Sequence, residues 1–376
     1  MTRRGPNEGS IYQRQDGRWE GAVHMGYENG RRVRKFVIGR TRAEVAAKLG
    51  PILKARDERR PVPDQRVKLA PFLRQWLDEV AKPTVRYSTY QTYDDIVTRH
   101  LIPGLGRVPI AKLTPLDVQT LLNAKLAAGL SAKRVLHIRA VLRRALVTAE
   151  RWGLVSRNVA RMVDPPRVPH YEIRPLTPDE AHKLLKTSVD DRLHALYATA
   201  LATGLRQGEL LGLLWEDVDL ETRRLSVRHA LARVQGKLVL LEPKTERSRR
   251  TLVLPEIAVS ALRGHRTRQR MDRLVAGSRW QETGYVFTAL HGLPLDAATV
   301  TRAFQAALTR AGLPHCRFHD LRHTAATFLL AQGFTLEDVK NLLGHSTVTL
   351  TSNTYGHILE QRQQQVAAGM DAILGG

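Results

Sequence analysis

Hydrophobic and polar positions change period several times along this chain, and each change marks a different kind of element. Over residues 9–40 short β-favouring runs alternate with turns: Ser10 to Tyr12, Asp16-Gly17, Trp19 to Tyr27, Glu28-Asn29-Gly30, Val33 to Ile38. Asp-Gly and Asn-Gly between alternating runs are strong hairpin signals, so a three-stranded antiparallel sheet is predicted, with a helix from about Arg42 to Arg56 covering one face. Pro61 and Pro63 then break the chain, and from Leu69 to about Asn158 the apolar residues recur at helical spacing. The clearest helix there starts behind Ser131, a good N-cap, and aligns Val135, Ile138, Val141 or Leu142, Ala145 and Ala149 on one stripe.

A second break, Asp164 to Pro169, is too proline-rich for helix. Beyond it Thr177-Pro178-Asp179-Glu180 reads as a capping box with proline at the first helical position, a device repeated at Thr114 to Asp117 and more loosely at Thr335 to Asp338. Between Arg223 and Leu254 the period becomes that of strands, at Leu225 to His229, Lys237 to Leu241 and Arg250 to Leu254, before helices return. The expected class is mainly α with small antiparallel sheets (α+β). Three domains follow: a sheet module at 1–60, a helical bundle at 66–160, and a mostly helical domain at 174–376 carrying a small three-stranded sheet.

Charge sharpens this picture. The chain has 59 Lys plus Arg against 36 Asp plus Glu, a formal charge of +23, which points to a polyanionic partner, nucleic acid or anionic lipid. Residues 1–60 alone carry a net of +8. Around the stripe behind Ser131 lie Lys133, Arg134, His137, Arg139, Arg143 and Arg144, with no acidic residue before Glu150. An ordinary solvated face mixes signs, so phosphate contact is expected there. No apolar run nears the roughly 20 residues that span a bilayer, and the start lacks an apolar signal core, so no membrane association and a cytoplasmic protein are expected. The single cysteine, Cys316, excludes an internal disulfide and a Cys-rich zinc site.

Five segments then suit one reaction: Thr203 to Leu210 with Arg206 and Glu209, Pro243-Lys244-Thr245, His319-Asp320-Leu321-Arg322-His323, Leu343-Gly344-His345-Ser346, and Asn353-Thr354-Tyr355-Gly356-His357. Singly each is weak. Together, in this order and with ten residues from His345 to Tyr355, they resemble the signature of the tyrosine recombinases of the phage integrase family. The likeness extends upstream: Trp76-Leu77, Thr89-Tyr90 and Ile102 to Gly106 look like the family's helical core-binding domain, and Gly9 to Tyr12 with Gly17-Arg18-Trp19 looks like its arm-binding sheet module.

That resemblance implies Tyr355 as nucleophile, Arg206 and Arg322 as the catalytic arginines, His319 as base, Lys244 as general acid, Glu209 as a support and His345 as a further donor. The chemistry fits these residue types. Cleaving a phosphodiester adds charge to its non-bridging oxygens, and a guanidinium fork stays charged and can bind two of them at once. A tyrosine hydroxyl, with an ordinary pKa near ~10, needs a cationic field or a base to attack at neutral pH. The product would be a 3′-phosphotyrosyl link and a free 5′ hydroxyl, so bond energy is conserved and no cofactor or metal is expected.

Expected partners are double-stranded DNA attachment sites, met as a homotetramer on paired DNA, with an accessory DNA-bending or directionality factor as a further candidate. Arg18, Lys133, Arg134, Arg139, Arg143 and Arg144 are the expected DNA contacts. The competing readings are a type IB topoisomerase-like relaxing enzyme, which has no use for the N-terminal sheet module, and a non-enzymatic DNA-binding regulator, consistent with charge alone. His319 and His323 at i and i+4 imitate a zinc helix, but Arg322 between them opposes a cation. The apolar residues from Ile358 to Leu374 suggest a tail that docks on a neighbouring protomer, as the family's does.

Overall fold

The computed structural model describes residues 10–28, 31–57, 66–169, 174–242, 249–344 and 370–374. The chain divides into two compact units, 1–170 and 171–376.

In the first unit β1 (Ser10–Gln13), β2 (Trp19–Glu28) and β3 (Arg31–Gly39) form the expected antiparallel sheet in the order β1-β2-β3. The helix α1 (Arg42–Asp57) follows, and Val23 from the sheet packs with Val45 and Leu49 from the helix in a small core of their own. The helical part runs α2 (Leu69–Trp76), α3 (Lys82–Thr84), α4 (Tyr87–Ile96), α5 (Ile102–Leu105), α6 (Pro115–Ala127) and α7 (Ala132–Arg151). Leu77–Ala81 and Val97–Leu101 are π-helical turns, each followed two residues later by proline, Pro83 or Pro103. Proline has no N–H for an intrahelical bond, and a widened turn absorbs that loss without ending the helix.

Ser131 caps α7 by accepting from the Arg134 amide at 3.3 Å. Every residue of the predicted stripe is buried, including both alternatives Val141 and Leu142. Each fully buried large aliphatic side chain there contributes about 1.5–3 kcal/mol relative to exposure.

The second unit comprises α8 (Pro178–Thr187), α9 (His194–Thr203), α10 (Gln207–Leu211), β4 (Val218–Asp219), β5 (Arg224–Val227), β6 (Ala230–Val234), β7 (Lys237–Leu241), β8 (Arg250–Val253), α11 (Glu256–Ala276), α12 (Ala297–Arg310), α13 (Asp320–Ala331) and α14 (Leu336–Leu343). The capping boxes at Thr177, Thr114 and Thr335 are all formed. Tyr197, Phe287, Phe304 and Phe318 lie in its main core, with Phe304 and Phe318 edge to face at 5.4 Å.

The fold class holds, but the strand membership differs from expectation. Lys237–Leu241 does not join the strands at 224–227 and 250–253; it pairs with Ala230–Val234 in a separate hairpin, and the three-stranded sheet is completed by Val218–Asp219 in the order β4-β5-β8. The hairpin turns on Gln235 and Gly236, both at positive φ (49° and 78°), the mirror-image turn that matches strand twist.

Candidate active site

Of the seven expected catalytic residues, Arg206, Glu209, His319 and Arg322 lie among the described residues, and Lys244, His345 and Tyr355 lie outside them. Helix α9 ends at Gly204, whose φ of 62° is a left-handed conformation costly for a residue with a side chain. A Cβ there would also stand 2.5 Å from Leu343 Cδ2. The chain then extends through Arg206 (φ −67°, ψ 149°) into the first turn of α10. Glu209 sits in that turn, 4% exposed. Its Oε1 accepts from Arg206 Nη1 at 2.7 Å, and its Oε2 accepts from the Arg206 amide at 3.1 Å and from Arg250 Nη2 at 3.1 Å. Burial alone would push the Glu209 carboxyl up, but Arg250 and Arg206 outweigh it and hold the group below its ordinary value.

Arg322, in the first turn of α13, is 3% exposed. Its Nη1 donates to the Gly204 carbonyl and its Nη2 to the Leu343 carbonyl, both at 2.7 Å. Arg206 Nη2 reaches the Gly344 carbonyl at 3.4 Å, and Arg250 Nε donates to the Leu342 carbonyl at 2.9 Å. Three consecutive carbonyls at the end of α14 thus each meet a different guanidinium. Those groups have no partner within their helix and carry the negative end of its dipole, so cations gather there readily. The next residue in the chain is His345.

His319 stands at the head of α13, exposed, with its carbonyl accepting from the Arg322 amide at 3.1 Å. Its ring meets His323 edge on, centroids 5.2 Å apart. Partial desolvation and then the Arg322 charge hold the His319 imidazole below its ordinary pKa, with Arg317 and Arg206 adding to the effect and Asp320 opposing it. His323 is pushed down to about 4 by burial and by His319. The carboxylate of Asp320, 1% exposed, is taken by Arg317 through its amide and its Nη2, both at 2.8 Å. Among the described residues no group of three or more His, Cys, Asp or Glu side chains could hold a metal ion. Cys316 is buried, its thiol pushed up to about 12 by desolvation.

Sequence reasoning missed Arg250, which it placed only at the start of a strand. Nothing local marks it, because its partners lie 41 and 92 residues away.

The expected DNA contacts belong to the first unit. Arg18 is exposed and forks onto Asp16, at 2.9 and 2.7 Å. On α7, Lys133 and Arg143 are exposed and Arg139 is half-buried. Arg134 pairs with Asp95, and Arg144 donates to the Tyr93 hydroxyl at 2.9 Å while lying over its ring. The acid that balances part of this face therefore comes from α4. No helix among the described residues is long and apolar enough to cross a membrane.

The chain resembles known proteins over most of its length. The family model described as "Phage integrase family" matches residues 174–362, and "Phage integrase, N-terminal SAM-like domain" matches residues 68–126. A "Tyrosine recombinase XerC-like" protein of Caldanaerobacter subterraneus subsp. tengcongensis is 32% identical, over 89% of this chain and 91% of that protein. An integrase of Saccharopolyspora erythraea is 28% identical over 99% of this chain and 98% of its own length. In fold the chain is similar to the Tn1549 transposon integrase in complex with transposon right end DNA (TM-score 0.69, 23% identity, 80% of this chain and 100% of that one). It is also similar to the lambda integrase solved as a tetramer bound to a Holliday junction (TM-score 0.57, 20% identity, 92% of this chain and 97% of that one). On the family match over half its length and a relative that it covers almost entirely, the chain belongs to the phage integrase family of tyrosine recombinases, enzymes that break and rejoin DNA strands.

Proposed function

We propose that this chain integrates and excises a phage or other mobile element by site-specific recombination, with Tyr355 as nucleophile. The Tyr355 oxygen attacks the scissile phosphorus and the bond to the 5′ oxygen breaks, leaving a 3′-phosphotyrosyl link and a 5′ hydroxyl. His319 takes the tyrosine proton, and its depressed pKa leaves it neutral and able to do so near pH 7. Lys244 gives a proton to the departing 5′ oxygen. Arg206 and Arg322 bind the non-bridging oxygens, His345 adds a donor, and Glu209 holds Arg206. Attack by a 5′ hydroxyl from a second duplex reverses the chemistry and joins new partners, so neither a metal nor a nucleotide cofactor enters a step.

The observation that carries this reading is the convergence of Arg206 and Arg322 on the end of α14, immediately ahead of His345 and ten residues further of Tyr355. Arg206 keeps 40% of its side chain exposed, enough to meet a phosphate. The DNA partner is double-stranded attachment-site DNA, met by residues 1–60 as an arm-type module, 66–160 as the core-binding domain and 174–376 as the catalytic domain. Four protomers assemble on two duplexes, a state supported by the lambda integrase tetramer. The protein works on DNA in the cytoplasm, and an accessory DNA-bending or directionality factor sets the choice between integration and excision.

A nicked suicide duplex carrying the junction sequence at the end of the resident element tests this directly. With chelator present, wild type traps a covalent protein–DNA adduct and Tyr355→Phe traps none. Equal trapping by both overturns the mechanism.

A further inference from the structure

Arg250 opens β8 opposite Val227, and its side chain is 9% exposed. Its Nη2 and Nε donate inward, to two segments of the site. Nη2 meets Glu209 Oε2 at 3.1 Å, Nε meets the Leu342 carbonyl at 2.9 Å, and a Cβ on Gly344 would stand 2.9 Å from Nη1. Its planar fork fixes the angle between these donors, so the residue acts as a rigid spacer.

We propose that Arg250 is a positioning residue of the recombination reaction, holding Glu209, and through it Arg206, at a fixed distance from the C-terminal end of α14. The proposal rests on the active-site reading above. Glu209 divides its oxygens: among the described residues Oε1 serves only Arg206 Nη1, whereas Oε2 is shared between the Arg206 amide and Arg250. Without Arg250 the buried carboxylate keeps donors from Arg206 alone, and the Arg206–Glu209 pair is no longer referenced to α14. The Arg206 bond to the Gly344 carbonyl, at 3.4 Å, is too long to set that reference by itself. A purely stabilising ion pair explains less. Buried pairs are often replaceable by apolar residues without loss, and such a role gives no reason to tie one guanidinium to two site segments.

The test uses the full chain with Arg250→Gln and Arg250→Lys, on the nicked suicide duplex already described. The cleavage rate constant of the Gln variant is expected to fall about 10–100-fold, as for other supporting groups behind a reacting site, while duplex Kd changes by less than about threefold. Lysine should recover part of the rate, since one ammonium can hold Glu209 or the Leu342 carbonyl but not both. A DNA-free readout stands beside these: amide hydrogen exchange at Gly344, whose N–H bonds the Asn341 carbonyl at 3.2 Å, is expected to speed up in the Gln variant. A Gln variant that cleaves within about twofold of wild type, or whose whole defect lies in Kd, overturns the proposal. So does a Gly344 amide as protected as in wild type. If the Gln protein does not fold, the Lys variant carries the same comparison. Adduct formation by Tyr355→Phe would instead sink the active-site reading, leaving hydrogen exchange to judge Arg250.

Discussion

Arg322 donates to the Leu343 carbonyl at 2.7 Å across 21 residues, and to the Gly204 carbonyl at the same distance across 118. One buried guanidinium therefore joins the end of α9, the start of α13 and the end of α14, while serving as a proposed phosphate ligand. Lysine keeps the charge but has no fork, so Arg322→Lys should leave one carbonyl unpaired. A loss of about 1–3 kcal/mol in unfolding free energy is expected, with a cleavage loss of at least about 100-fold. Urea denaturation and suicide-duplex trapping measure the two. A lysine variant as stable as wild type would show that these bonds are dispensable.

The paired imidazoles both favour the neutral form, one for chemistry and the other for stability. His319 must be neutral to accept the tyrosine proton, and its pKa lies below the ordinary ~6.5. Cleavage should thus hold its plateau through neutrality and fall only at acid pH, with its midpoint below about 6.5. His319→Gln should lower the plateau itself. An unchanged profile in that variant would remove His319 from the proton path.

His323, at about 4 when folded, affects stability rather than chemistry. Below pH ~6.5 the unfolded chain takes up a proton that the folded one refuses. The sign is therefore a stability present above pH ~6.5 and lost as pH falls toward about 4, at most about 3 kcal/mol in all before solvent screening of this partly exposed ring reduces it. Unfolding free energies at pH 7 and pH 5 should differ less in His323→Gln than in wild type. Equal differences would mean that His323 titrates normally in the folded protein.

On α7 the charges separate into two groups. Lys133 and Arg143 are exposed and make no salt bridge among the described residues, whereas Arg134 is tied to Asp95 and Arg144 to Tyr93. Each exposed cation that neutralises a phosphate should contribute about 0.9 to the slope of log K against log salt. Lys133→Ala and Arg143→Ala should each flatten that slope by about this amount and leave stability nearly unchanged. Arg134→Ala should instead lose some stability, because Asp95 then keeps only its pair with the exposed Arg99. Filter binding across a salt series, paired with denaturation, distinguishes the two groups, and a common response from all three would erase the distinction.

How far the sequence carried these conclusions depended on the range of the interaction. The α7 stripe was legible because helical periodicity is a property of neighbours, and the capping boxes at Thr114, Thr177 and Thr335 because each spans three residues. Arg206, Glu209, His319 and Arg322 were legible through the spacing of a known signature, which named them without giving their geometry. Partners 39 or 41 residues apart, Asp95 for Arg134 and Glu209 for Arg250, leave no local trace. The β6–β7 hairpin was missed for a related reason: Gln235-Gly236 is a weaker turn signal than Asn-Gly, so Ala230–Val234 was not recognised and Lys237–Leu241 was assigned to the wrong sheet.

Gly344 brings the packing and the chemistry to one atom. It ends α14 in the left-handed region, at φ 65°, where a side chain costs about 1–2 kcal/mol. A methyl group there would also lie 2.9 Å from Arg250 Nη1. The far end of an arginine usually yields, but this one is held by Glu209 and the Leu342 carbonyl, so the methyl must displace the guanidinium or shift the end of α14. Gly344→Ala should therefore cut the cleavage rate more than about tenfold while the fold survives. Both Gly344→Ala and Arg250→Gln would disturb the same contact, so their effects on cleavage should combine to less than their sum in free energy. Full additivity in that double-mutant cycle would mean that the two residues act independently, and that the end of α14 is set by Arg322 alone.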